Sequence, residues 1–207
     1  MSISLYFGLP GCGKTTLMAA IAIDAIKSKK YKNIYCNVRL TIPGVTYIPN
    51  DAIGKYGLFD ALILIDEATL FADSRDFKSF DQGKKTFFLL HRHFRSNIIL
   101  FLQQWNALDL KIRTITDKVY YVYKPPLLGK WFTRYYQIPY GIIIPEEGKH
   151  GSSSKLGEII QGYCKPPLLV RLFCPIFFRP KFYKYFDSWE IPPGFPPLPI
   201  QYKPYSD

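Results

Sequence analysis

Near the start of the chain, Gly8-Leu9-Pro10-Gly11-Cys12-Gly13-Lys14-Thr15 fits G-x-x-x-x-G-K-[ST] at every position. Glycines at these spacings let the backbone wrap an anion closely, so that its N–H groups face phosphate oxygens, and a following helix N-terminus adds a favourable dipole. Lys14 supplies a point charge that reaches the β- and γ-phosphates of a nucleoside triphosphate. The Thr15 hydroxyl is the expected Mg2+ ligand and Thr16 the expected α-phosphate contact. Gly8, Gly11, Cys12, Gly13, Lys14, Thr15 and Thr16 are therefore the expected nucleotide-binding set, with ATP and Mg2+ as ligands.

A second group of residues supplies the chemistry that the loop lacks. Leu62-Ile63-Leu64-Ile65-Asp66-Glu67 is an apolar strand delivering two carboxylates. Asp66 is expected to hold Mg2+ through water. Glu67 is expected to polarise the attacking water, because metal and lysine take up phosphate charge while the nucleophile still needs an orienting base. Gln103 and Gln104 close the next apolar run, where an amide can contact both the γ-phosphate and the water; Gln103 follows the strand more directly. Lys14, Glu67 and Gln103 form the expected catalytic set. Arg92, Arg95 and Arg113 are candidates for an arginine finger reaching a neighbouring subunit, although arginines so placed more often belong to a solvated or DNA-contacting face. His91 and His93 bracket Arg92 without an acidic neighbour in sequence and read as surface or core-edge residues.

The elements that must position these groups follow from the apolar pattern. Ile3 to Phe7 predicts a strand running into the loop, and Thr15 to Ile26 a helix rich in Ala, Leu and Ile, the strand–loop–helix order that the motif needs. Asn33 to Val38 reads as a second strand, ended by the Pro43-Gly44 turn. The continuous apolar runs Ala61 to Ile65 and Ile98 to Leu102 read as parallel strands buried on both faces, and Val119 to Val122 as a fifth strand. Gly83 to Arg95 has helical spacing, with Phe87, Leu90 and Phe94 on one face. The fold class expected is α/β: a mostly parallel five-stranded sheet flanked by helices. Glu67 beside Asp66, a strand between the loop strand and the Asp66 strand, and a polar residue closing the strand after it resemble the additional-strand, catalytic-glutamate branch of P-loop ATPases. That branch implies the sheet order 5-1-4-3-2. Beyond Tyr123, prolines and glycines break the chain into a hairpin expected over 132–144. The expected organisation is an ATPase domain over 1–145, a linker over 146–157 and a Pro- and aromatic-rich tail over 158–207.

The phosphate loop, Asn33-Ile34-Tyr35-Cys36-Asn37-Val38, the Ile63-Leu64-Ile65-Asp66-Glu67-Ala68 segment, and the run from His91-Arg92-His93 through Gln103-Gln104 together resemble the zonular occludens toxin (Zot) family. That family includes assembly ATPases of filamentous phages. Leu110-Lys111-Ile112-Arg113 and the strand at Val119 continue the resemblance, which covers residues 1–145; the tail adds Tyr185-Phe186-Asp187-Ser188. The resemblance implies a cytoplasmic ATPase that drives export or packaging of phage DNA. Family members usually carry a transmembrane helix after the ATPase domain, whereas this chain has no run long enough to span a bilayer; Leu168 to Phe178, the nearest, is short and holds Arg171 and Pro175. A separate anchor, action without one, or docking of that run at the inner membrane are the alternatives.

Composition sets the outer bounds. The 207 residues suffice for one α/β domain with a tail. Lys and Arg outnumber Asp and Glu 27 to 16, a formal charge of +11, and 16 Tyr with 16 Phe are spread among them. This balance suits a polyanion, single-stranded or phage DNA first, an anionic membrane surface second. Cys12, Cys36, Cys164 and Cys174 show no CxxC spacing, which argues against a zinc site or disulfide framework and for free thiols in a reducing cytoplasm. Two readings stay open: a homo-oligomeric DNA motor, or a nucleotide-binding scaffold or host-interaction protein that scarcely hydrolyses. A small-molecule kinase fits less well, lacking an evident lid.

Overall fold

Ile3–Phe7 (β1) is apolar apart from Ser4, and its apolar residues divide between two cores. Ile3, Leu5 and Phe7 face one side of the sheet with Ile63, Ile65, Ile98, Leu100 and Leu102; Tyr6 faces the other with Leu62, Leu64 and Phe101. A strand buried on both faces needs no polar alternation, which is why Ala61–Ile65 (β4) is buried at every position. The structure, a computed structural model, describes residues 1–68, 82–104, 108–126, 128–138 and 173–187.

The other elements are Lys14–Ser28 (α1), Asn33–Cys36 (β2), Thr46–Tyr47 (β3), Gln82–Leu90 (α2), Asn97–Leu102 (β5), Leu110–Thr114 (α3), Lys118–Tyr123 (β6), Phe132–Gln137 (β7), Ile176–Phe178 (β8) and a 3-10 helix at Arg179–Tyr185. The sheet order is β3-β2-β4-β5-β1-β6-β7-β8. It therefore has eight strands rather than five, and its full order differs from the expected one by the added edges. The five expected strands lie together inside it, β6, β1, β5, β4 and β2 as successive parallel neighbours. The turn at Pro43-Gly44 closes with Val45 N–H on the Ile42 carbonyl at 3.1 Å and Gly44 at φ 90, which a side chain would disfavour.

α1 packs Leu17, Met18, Ala19 and Ala22 onto the Tyr6 face of the sheet. Small alanines bring the helix close, and it stops where Lys29 turns left-handed (φ 51) and its N–H caps Ile26. On the opposite face α2 buries Phe87 and Phe88. Of the expected apolar face, Phe87 is buried and Phe94 packs against the same core, but Leu90 is 38% exposed; the helix ends there, and residues 91–95 form turns leading to Arg95 at φ 54.

The three strands beyond β1 carry the aromatic residues. Tyr6 stacks on Tyr120 of β6 with ring centroids 4.4 Å apart, and Tyr135 of β7 meets it edge-on at 5.8 Å. β7 runs antiparallel to β6, and β8 antiparallel to β7. Residues 132–137 thus form a hairpin with β6, while 139–144 of the expected hairpin, the expected linker at 146–157 and residues 188–207 lie outside the described residues. Among the described residues no helix is long and apolar enough to cross a membrane.

Candidate nucleotide site

Four parallel strands end at one edge of the sheet, and each ends in a residue that works there. β1 ends at Gly8, whose N–H donates to the Leu102 carbonyl at 3.2 Å. A Cβ at Gly8 would lie 2.2 Å from the Val122 carbonyl oxygen, so glycine lets the chain leave between its two neighbours. The loop then turns through Gly11 and Gly13, both left-handed at φ 69 and 100. Lys14 opens α1 and is 7% exposed, its ammonium donating to the carbonyls of Gly8 at 2.9 Å and Leu9 at 3.3 Å. The lysine is held folded over the loop.

The Thr15 hydroxyl donates to Asp66 Oδ2 at 2.9 Å, and Asp66 Oδ1 accepts the Glu67 N–H at 3.1 Å. Burial pushes the Asp66 carboxyl up; the Thr15 bond and the charge of Lys14 pull it down, and Glu67 adds to the rise. A hydroxyl and a carboxylate at this contact are hard oxygen donors of the kind Mg2+ takes, so the residues fit the metal. Gln103 Nε2 donates to Glu67 Oε1 at 2.7 Å. Glu67 itself is left-handed at φ 48, an unusual conformation for a residue with a side chain, directly after the strand.

A cleft of about 280 Å3 gathers Gly13, Lys14, Thr15 and Thr16 with Asp66, Glu67 and Gln103. Gly11 also lines it, whereas Gly8 and Cys12 do not. Cys12 is buried, and burial pushes its thiol up against the opposing pull of Lys14, Arg179 and Lys124. Its carbonyl accepts from Thr133 Oγ1 at 2.7 Å, so its part in the loop is played by the backbone. Gln104 is exposed and does not line the cleft. Arg92 and Arg95 lie by the other end of the sheet, paired with Asp117 at 3.6 Å and with Asp60 at 2.8 Å. Burial lowers the Arg113 guanidinium, opposed by Asp109. His91 is buried with Nδ1 on the Phe88 carbonyl at 2.7 Å, and His93 is exposed.

Several site residues went unread in the sequence. Asn37, just past β2, accepts the Asp66 N–H on Oδ1 at 2.7 Å and donates from Nδ2 to the Asp66 carbonyl at 2.8 Å and to Asn50 Oδ1 at 2.8 Å. It clamps the backbone of the metal-ligand candidate on both sides. Its signal was available: like Asp66 and Gln103, it is a polar residue closing a strand of the parallel sheet. Arg179, Tyr183 and Phe186 also line the cleft, delivered from the 3-10 helix and the residue that caps it. Phe186 belongs to the tail segment of the family resemblance, but no motif points to Arg179 or Tyr183, because long-range pairing brings them there.

A sequence profile of the zonular occludens toxin (Zot) family matches residues 50–156, just over half of the chain. The chain belongs to the Zot family. A solved structure of the N-terminal domain of zonular occludens toxin from Neisseria meningitidis aligns with this Zot-family chain at TM-score 0.54 and 18% identity, covering 90% of this chain and 98% of that one. The genome packaging NTPase B204 from Sulfolobus turreted icosahedral virus 2, in complex with ATP-gammaS, aligns at TM-score 0.49 and 14% identity over 66% of this chain and 92% of that one. Flagellar accessory protein FlaH from Methanocaldococcus jannaschii aligns at 0.47 and 14%, over 67% and 78%. The Neisseria likeness bears on fold, and the fold of this Zot-family chain is mixed α/β, with a mostly parallel eight-stranded sheet and helices packed on it. No curated protein matches it by sequence.

Proposed function

We propose that this chain is a Mg2+-dependent ATPase of the host cytoplasm that couples hydrolysis to export, packaging or assembly of phage DNA as a homo-oligomer. The observation that carries the reading is the pairing of two contacts at one edge of the sheet: Thr15 with Asp66 at 2.9 Å and Gln103 with Glu67 at 2.7 Å. The first brings together the two residues that would hold Mg2+. The second ties the base that would act on water to the strand beside it.

In this reading the loop N–H groups and Lys14 bind the triphosphate, Lys14 exchanging its two loop carbonyls for phosphate oxygens. Mg2+, when bound, neutralises phosphate charge. Glu67 holds the water and accepts its proton, while the Gln103 amide fixes the carboxylate that does so. Removal of a γ-phosphate frees Gln103 to pass the change into β5. The formal charge of +11 supports a polyanionic partner. The test is ATP turnover of the purified chain with and without single-stranded DNA. Turnover stimulated by DNA and abolished in Glu67→Gln is the expected result. Turnover indifferent to both would refute the motor, and ATP binding with scarcely any turnover would leave a nucleotide-binding scaffold.

A further inference from the structure

We propose that Arg179, supplied by the C-terminal segment of the same chain, is a polyphosphate-binding residue of this site. The inference rests on the nucleotide-site reading above and adds to it a cation that lies outside both motifs. Arg179 lines the cleft, and its Nε lies 3.1 Å from the point a Cβ on Gly13 would occupy, so the guanidinium stands against the phosphate loop itself. Nε is buried without a hydrogen-bond partner. Among the described residues the side chain makes one hydrogen bond, from Nη1 to the Gly129 carbonyl at 3.1 Å, and forms no ion pair with a carboxylate.

A guanidinium carries five N–H donors and stays charged in proteins, so a partly buried one without an anion is costly unless an anion arrives. Its neighbours fix it in place. The Arg179 N–H donates to the Trp131 carbonyl at 2.7 Å, the guanidinium sits 5.9 Å from the Tyr183 ring, and Pro180 stiffens the turn that follows. Further along, Thr41 grips the same segment: its N–H donates to the Tyr185 carbonyl at 2.8 Å and its hydroxyl to the Lys184 carbonyl at 3.2 Å. The segment thus packs against α1 as a strap held at both ends. Lys14 comes from the phosphate loop and Asp66 and Glu67 from the end of β4, whereas Arg179 opens the 3-10 helix that follows the last strand of the sheet. A triphosphate in the cleft would meet positive charge from two separate parts of the fold.

The test is competition against a fluorescent ATP analogue by ATP, ADP and inorganic tripolyphosphate, for wild type, Arg179→Ala and Arg179→Lys, with thermal melts of each. Loss of a charge-assisted hydrogen bond weakens binding by about tenfold or more. Arg179→Ala should weaken ATP and tripolyphosphate alike by that factor, and Arg179→Lys should recover part of both. Arg179→Ala that melts like wild type and binds tripolyphosphate as tightly overturns the assignment while leaving the site intact. Weakened ATP with unchanged tripolyphosphate overturns it too, because the contact would then be to base or sugar. An equal loss in both variants, accompanied by a lowered melting temperature, reduces Arg179 to a structural tie and overturns it as well. A wild-type chain that binds none of the three ligands overturns the site reading itself.

Discussion

Replacing Thr133 by valine removes one hydroxyl and should loosen the phosphate loop from a distance of 121 residues in sequence. Thr133 is fully buried on β7, and its hydroxyl donates to the Cys12 carbonyl at 2.7 Å. Valine keeps the shape and loses the donor, leaving a buried carbonyl unsatisfied. The cost of such a loss is about 1–3 kcal/mol. For a domain of this size each kcal/mol lowers the melting temperature by about 2–4 °C, so a fall of roughly 4–8 °C corresponds to the middle of that range. The same loss should weaken ATP, because the N–H groups around Cys12 are aimed by the carbonyl that Thr133 holds. Calorimetric melting and analogue competition measure the two effects. Thr133→Ser, which retains the hydroxyl, is the control and should stay close to wild type in affinity. The reasoning is refuted if Thr133→Val melts and binds ATP like the wild type, or if Thr133→Ser loses as much affinity as valine does.

Asn37→Leu leaves the Asp66 N–H and carbonyl without their side-chain partners; turnover should fall sharply, with a destabilisation of about 1–3 kcal/mol visible in a urea melt. Gln103→Ala should reduce turnover by about tenfold or more with little change in ATP affinity, whereas Gln104→Ala should leave both unchanged in a coupled ATPase assay. Cys36 is held as a thiol, pushed up to about 12 by burial, so iodoacetamide at pH 8 should label it only in denaturant. Its folded value lies above the unfolded one, so the stability it confers is complete below about pH 8.5 and is lost as pH rises from there towards 12. The fall in melting temperature on that alkaline limb should be shallower in Cys36→Ala than in wild type.

The parallel centre of the fold could be read from the sequence because each of its strands is a local object. β4 and β5 announce themselves by the unbroken apolar runs Ala61 to Ile65 and Ile98 to Leu102, and the loop by its glycines. The order of those strands came from resemblance, since Asp66 with Glu67 and a polar residue closing the next strand resemble a branch of P-loop ATPases that implies it. The edges carried no such signal. Thr46–Tyr47 is two residues long, and Ile176–Phe178 is a short, mostly exposed stretch whose partners on β7 lie 42 to 46 residues earlier. The site divides likewise. Asp66 and Glu67 belong to a motif, but Asn37 acts only once β2 lies against β4, and Thr133 only once β7 has joined the sheet. In the helix before β5, spacing placed Leu90 inward where the structure turns Phe88 in, since a short helix ending in turns need not keep one face to its last residue.

The strap from β8 to Thr41 has a consequence for the order in which the protein becomes competent during synthesis. The glycine loop leaves the ribosome before the strands that flank it, which can pair with β1 as they emerge. Arg179 is made more than 160 residues later, and it reaches the loop only when β8 has found β7 and the Tyr185 carbonyl has met Thr41. A nascent chain therefore carries its phosphate loop through the synthesis of more than 160 further residues without the Arg179 guanidinium, and brings it to the cleft only after residues 176–187 have emerged.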